Sequence, residues 1–98
     1  MRDYHKEARQ VIGFNVDIIP AMTKKEREYL DDYNARVEDK NPLNNPTSKE
    51  NKRYFSLTML SNANYFAKKS KSLWAFGKVK KNYQDTAQAN YLAYLANK

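Results

Sequence analysis

Two Thr-x-x-Glu capping boxes constrain the fold of this chain more than any other feature. In Thr23-Lys24-Lys25-Glu26, and again in Thr47-Ser48-Lys49-Glu50, a threonine hydroxyl can accept from the amide three residues on, while the glutamate carboxylate reaches back to the threonine amide. Each box precedes an apolar-periodic run, so each marks the start of a helix. The first helix is predicted to run to about Asp39, with Tyr29, Leu30, Tyr33 and Val37 as its apolar face. Opposite charges four apart, Arg27–Asp31 and Asp32–Arg36, support it. The second helix is longer. Phe55, Met59, Ala63 and Phe66 form one stripe, widened by Tyr54, Leu57 and Leu60, which predicts the central helix of a bundle. Between the two, the Asn- and Pro-rich run from 41 to 46 reads as a loop, with Leu43 pinning it to the core.

The remaining segments are read from their periods. Tyr4, Ala8, Val11 and Ile12 make one helical stripe within Arg2–Ile12. From there the period becomes two. Ile12, Phe14, Val16 and Ile18 alternate with Gly13, Asn15 and Asp17 as far as Pro20, the pattern of a half-buried strand. Ser70–Asn82 fits a helix that groups Phe76, Val79 and Tyr83, weakened by Gly77, or a strand over Ser72–Val79. A last helix is predicted from near Asn82, with Asp85 favouring its positive end and Ala87, Tyr91, Tyr94 and Leu95 inward. The fold class is therefore mainly α: a small single domain over residues 1–98, a bundle of four or five helices with one short N-terminal β-strand. A lone strand leaves its amides and carbonyls unpaired. Residues 12–18 thus require the 72–79 segment, a second copy in a homodimer, or the sheet edge of a partner.

Strand, Pro20, capped helix, connection and second helix, over about residues 12–67, form an order of elements that resembles the ribbon-helix-helix DNA-binding family. That resemblance implies strands paired across a dimer and a ribbon in the major groove. The chain departs from the family in two ways. The connection between the helices is longer and contains Pro42 and Pro46. The outward strand residues are Asn15 and Asp17, and a carboxylate there is repelled by phosphate.

Composition narrows the chemistry further. In 98 residues there is no Cys, one His and two Gly. This excludes a disulfide scaffold, thiolate zinc sites and cysteine catalysis, and the isolated Gly13 and Gly77 cannot build a phosphate loop. His5 has no second His or Cys with which to form a metal site or a nucleophile–base pair, and reads as a surface residue. Glu28 and Asp32 have the spacing of an ion-binding or acid–base pair. Arg27 and Arg36 beside them indicate a solvated, ion-paired face instead. No metal, cofactor or enzymatic activity is expected. No stretch reaches the ~18 apolar residues of a membrane span, and the charged Met1–Gln10 lacks the apolar segment of a signal peptide. A cytoplasmic location without a membrane partner is expected. Lys, Asn and Tyr, all abundant here, are spelled by AT-rich codons, which points to a low-GC genome such as that of a phage or mobile element.

Charge supplies the functional lead. The net charge is +7, and all of the excess lies in the second half. Residues 1–49 hold nine basic and nine acidic side chains, whereas 50–98 hold nine and two. From Asn51 to Gln84 there is no acid. The bases in that stretch are Lys52, Arg53, Lys68, Lys69, Lys71, Lys78, Lys80 and Lys81. Such a surface favours an anionic partner. On a single helical wheel Lys71, Lys78 and Lys81 share an arc with Trp74, the combination of ammonium groups and a stacking ring that single-stranded nucleic acid uses. The same wheel would bury Lys69 and Lys80, so a break near Ser70–Ser72 or Gly77 is expected, and with it Trp74 reads as core. The leading expectation is a non-enzymatic accessory protein that binds DNA or RNA with weak sequence specificity. It would act through Lys68, Lys69, Lys71, Lys78, Lys80 and Lys81, with Lys52 and Arg53 as outliers. The alternative is a small inhibitor or adaptor that docks on an acidic protein surface or in a nucleic-acid channel, anchored by Tyr54, Tyr65 or Tyr94.

Overall fold

The computed structural model describes residues 2–11, 14–39, 45–72 and 76–98, which are mainly helical. Helix α1 spans Tyr4–Arg9, α2 Lys24–Glu38, α3 Ser48–Ser70 and α4 Lys78–Asn97, and a 3-10 turn occupies Val16–Ile18. Both capping boxes form. The Thr23 hydroxyl accepts from the Glu26 amide at 3.1 Å, and the Thr23 amide donates to the Glu26 carboxylate at 2.8 Å. Thr47 and Glu50 repeat the pattern, each bond at 3.2 Å.

Helices α3 and α4 make an antiparallel hairpin. Phe66, late in α3, lies 6.3 Å ring to ring from Tyr83, early in α4. At the opposite end Lys52 and Arg53 share a cleft with Tyr94 and Asn97. Helix α3 buries Ser56, Leu57, Leu60, Ala63, Ala67 and Ser70, and α4 buries Asp85, Ala87, Gln88, Ala89 and Ala93. Most of these side chains are small, which lets backbones approach closely. The large contributions come from Leu57 and Leu60, worth about 1.5–3 kcal/mol each by burial. Val16 and Ile19 complete this core. Helix α1 packs on α4 and contributes the fully buried Ala8.

Helix α2 is attached differently, since it has no buried residue. Tyr29 and Leu30 rest half-buried against the core, and the other described contacts with α3 are mainly polar. The Tyr29 hydroxyl donates to the Glu50 carbonyl at 3.1 Å, Tyr33 to the Asn51 side chain at 2.6 Å, and Tyr54 to that of Asn34 at 3.1 Å. The Tyr33 and Tyr54 rings stack at 3.9 Å, and Arg36 pairs with Glu50. Hydrogen bonding from Arg36, followed by that from the Thr47 amide, holds the Glu50 carboxyl down to about 2. Burial, followed by the Glu50 charge, pushes the Tyr29 phenol above its ordinary value.

Several expectations are corrected. There is no strand among the described residues. Asn15 Oδ1 accepts from the Asp17 amide at 2.9 Å, and the Ile18 and Ile19 amides bond back to Asn15 and Val16. Local bonding has captured the amides that a ladder would need. Val16 and Ile19, three apart, are buried and Ile18 is exposed. The strand-paired homodimer and the ribbon-helix-helix likeness therefore lose their extended edge over 14–18. Ile12 and Gly13 lie outside the described residues, as do Leu43 and Trp74.

The face of α3 is also rotated. Phe55 is 48% exposed, because it sits roughly 100° from the centre of the buried stripe on a 3.6-residue wheel. Val37 and Leu95, expected inward, are exposed. The last helix begins at Lys78, four residues before the expected start. Gly77, at φ 62°, sets its N-terminus in a conformation open to glycine and costly for other residues. Asp85 therefore stands well inside α4 rather than at its positive end.

Candidate nucleic-acid interface

The hairpin divides the eight predicted basic residues between its two ends. Lys68 and Lys69 lie in the last turn of α3, Lys71 caps that helix, and Lys78, Lys80 and Lys81 lie in the first turns of α4. The antiparallel packing of α3 and α4 keeps these six at one end. Lys52 and Arg53 sit near the start of α3, roughly 24 Å away at 1.5 Å per helical residue. They belong to a different surface. The Arg53 guanidinium lies 5.1 Å from the centre of the Tyr29 ring.

Two of the six lysines are engaged by acids from outside the acid-free stretch. Lys71 pairs with Asp17 of the 3-10 turn. Lys81 donates to Asp85 at 2.5 Å and approaches the Val11 carbonyl at 3.4 Å. Asp85 is nearly buried, so Lys81 compensates an interior charge and acts structurally. Lys68, Lys69, Lys78 and Lys80 have exposed side chains and no ion pair among the described residues.

Beside Lys68 and Lys69 runs an open groove of about 620 Å³, lined by Tyr65, Lys68, Lys69, Lys71 and Ser72; Lys78 and Lys80 are not among its lining residues. Tyr65 is 56% exposed. Its ring is held edge-on against Phe66 at 5.2 Å, and the Lys69 ammonium stands 5.5 Å from its centre. The ring thus has neighbours on part of its surface while much of it remains open. Tyr65 supplies an aromatic ring within a basic surface. The signal for it lay in the spacing, since Tyr65, Lys68 and Lys69 stand at i, i+3 and i+4 and must share a helix face. Of the other suggested anchors, Tyr54 is half-covered by its stack on Tyr33, and Tyr94 faces the opposite end of the hairpin.

Among the described residues no group of His, Cys, Asp and Glu is placed to hold a metal ion, and no helix is long and apolar enough to cross a membrane. No protein-family model, curated protein or solved structure matches the chain.

Proposed function

We propose that this protein is a non-enzymatic accessory protein that binds single-stranded nucleic acid along the Tyr65 groove. In this reading Lys68, Lys69, Lys78 and Lys80 neighbour phosphates and Tyr65 stacks on a base. The observation that carries the reading is the exposed Tyr65 ring in a groove lined by Lys68 and Lys69, which have no ion pair among the described residues. Like charges crowded together repel, and a polyanion relieves that repulsion while releasing its own counterions. Contacts to phosphate and to the face of a base carry little sequence information, so specificity is weak.

Binding of a labelled oligonucleotide, followed by anisotropy across salt concentrations, tests this. Four phosphate contacts give a log–log slope of roughly −3 on a single strand, from −0.7 per contact. Lys78→Gln with Lys80→Gln should flatten the slope toward about half that value. Tyr65→Ala should weaken binding by about 1–3 kcal/mol, and Tyr65→Phe should retain it. Undetectable binding of both DNA and RNA at about 50 mM salt, where screening is still incomplete, would refute the proposal.

A second reading, docking on an acidic protein surface, is favoured by the exposed Phe76 and Val79 beside Lys78 and Lys80. Apolar side chains among cations suit a protein interface better than a phosphate backbone. Pull-down with and without nuclease separates the two: a stoichiometric protein partner that survives nuclease favours the second.

A further inference from the structure

At the end of the hairpin remote from the Tyr65 groove, the first turns of α3, the last turn of α4 and the start of α2 enclose a cleft of about 360 Å³. We infer that this cleft binds a phosphorylated nucleobase, either as a free nucleoside monophosphate or as the phosphorylated end of a strand. The inference is independent of the Tyr65 groove.

Three properties of the cleft point to that ligand. Its charge is strongly one-sided: Lys49, Lys52, Arg53 and Lys98 line it against the single carboxylate of Glu26. That carboxylate already accepts from the Thr23 amide at 2.8 Å. The positive end of the α3 dipole and the negative end of the antiparallel α4 dipole meet at this cleft and offset each other, so the charged side chains set the field. At the C-terminal end of α4, Asn97 donates to the Ala93 carbonyl at 2.7 Å and so satisfies one of the exposed acceptors.

The second property is an apolar wall. Leu57 and the Tyr94 ring supply it, and a cation stands nearby, with the Lys98 ammonium 5.8 Å from the ring centre. A flat heterocycle suits such a wall, whereas inorganic phosphate would leave it uncovered. The third is Ser56, which is only 2% exposed yet lines the cleft. Its hydroxyl is a polar group placed among the apolar atoms, as in sites that orient a ligand. The volume lies at the low end of the ~300–1,000 Å³ of small-molecule sites, which limits the occupant to about one nucleotide.

Two-dimensional NMR of the intact chain, titrated with adenosine monophosphate, adenosine, inorganic phosphate and a 5′-phosphorylated trinucleotide, tests the site. Adenosine monophosphate or the phosphorylated trinucleotide should shift amides around Lys52, Arg53, Ser56 and Tyr94, and should bind at least tenfold more tightly than adenosine or phosphate. Tighter binding of the monophosphate identifies a free nucleotide as the source, and tighter binding of the trinucleotide identifies a strand end. Lys52→Gln with Arg53→Gln, both at exposed positions, should weaken binding tenfold or more, with Lys78→Gln and Lys80→Gln without effect. Inorganic phosphate binding as well as the nucleotide, shifts confined to Tyr65–Ser72, or no shift at millimolar ligand would each overturn the inference. Failure of oligonucleotide binding at the Tyr65 groove leaves this result unaffected.

Discussion

The contacts that α3 makes with α4 and those it makes with α2 solve the same problem with different chemistry. Against α4, α3 buries two leucines and a run of alanines and serines. Against α2, it offers hydroxyl bonds, one ring stack and an ion pair, and no α2 residue is buried. Apolar contact depends on close fit and little on pH. Polar contact depends on the charge state of a few groups, and each bond contributes only about 1 kcal/mol net because water competes for it. The difference implies a firm hairpin carrying a helix that releases under milder conditions than those that unfold the whole.

The largest expected effect lies in the hairpin. Leu60→Ala should cost about 2–5 kcal/mol, read as a lower midpoint in urea for the α3 and α4 signals. A loss below 1 kcal/mol would show that the seam is not where stability resides. An intermediate effect belongs to the Arg36–Glu50 pair. The Glu50 carboxyl is held at about 2 in the folded protein against an ordinary 4.5. Its contribution is therefore complete above about pH 4.5 and disappears as pH falls through that value toward 2. Hydrogen exchange of α2 should rise in this window before that of α3 and α4. Glu50→Gln should raise α2 exchange at neutral pH and remove the pH dependence. If all helices open together, the two interfaces are one cooperative unit. The smallest effect is expected at Phe55, whose half-exposed ring contributes less than a core residue does. Phe55→Ala should cost under about 1 kcal/mol in the same urea titration.

What the sequence disclosed follows from the range of the forces involved. The capping boxes at Thr23 and Thr47 are complete within four residues, so both helix starts were legible. The turn at Val16 is equally local, yet alternating apolar residues concealed it; the Asn15 side chain, a frequent turn former, was the better guide. The seam of α3 was misplaced because Phe55 and Met59 outweighed Ala63, Ala67 and Ser70 by size. Close helix packing selects small residues, and only the position of α4 reveals that choice. At the candidate interface the acid-free stretch singled out Lys68, Lys69, Lys71, Lys78, Lys80 and Lys81, which stand at one end of the hairpin. It could not show that Asp17, distant in sequence, reaches Lys71, or that Lys52 and Arg53 face another cleft.

The turn into α4 has a consequence in terms of handedness. Gly77 holds φ 62° and ψ −131°, the mirror image of the ordinary extended region of an L-residue. A Cβ built there would meet nothing within 4 Å, so space is not what excludes other residues. Chirality is. L-alanine at this position must adopt a strained backbone, whereas D-alanine would occupy its own preferred region and narrow the unfolded ensemble. A synthetic chain carrying D-alanine at 77 should therefore melt above the parent, and one carrying L-alanine below it.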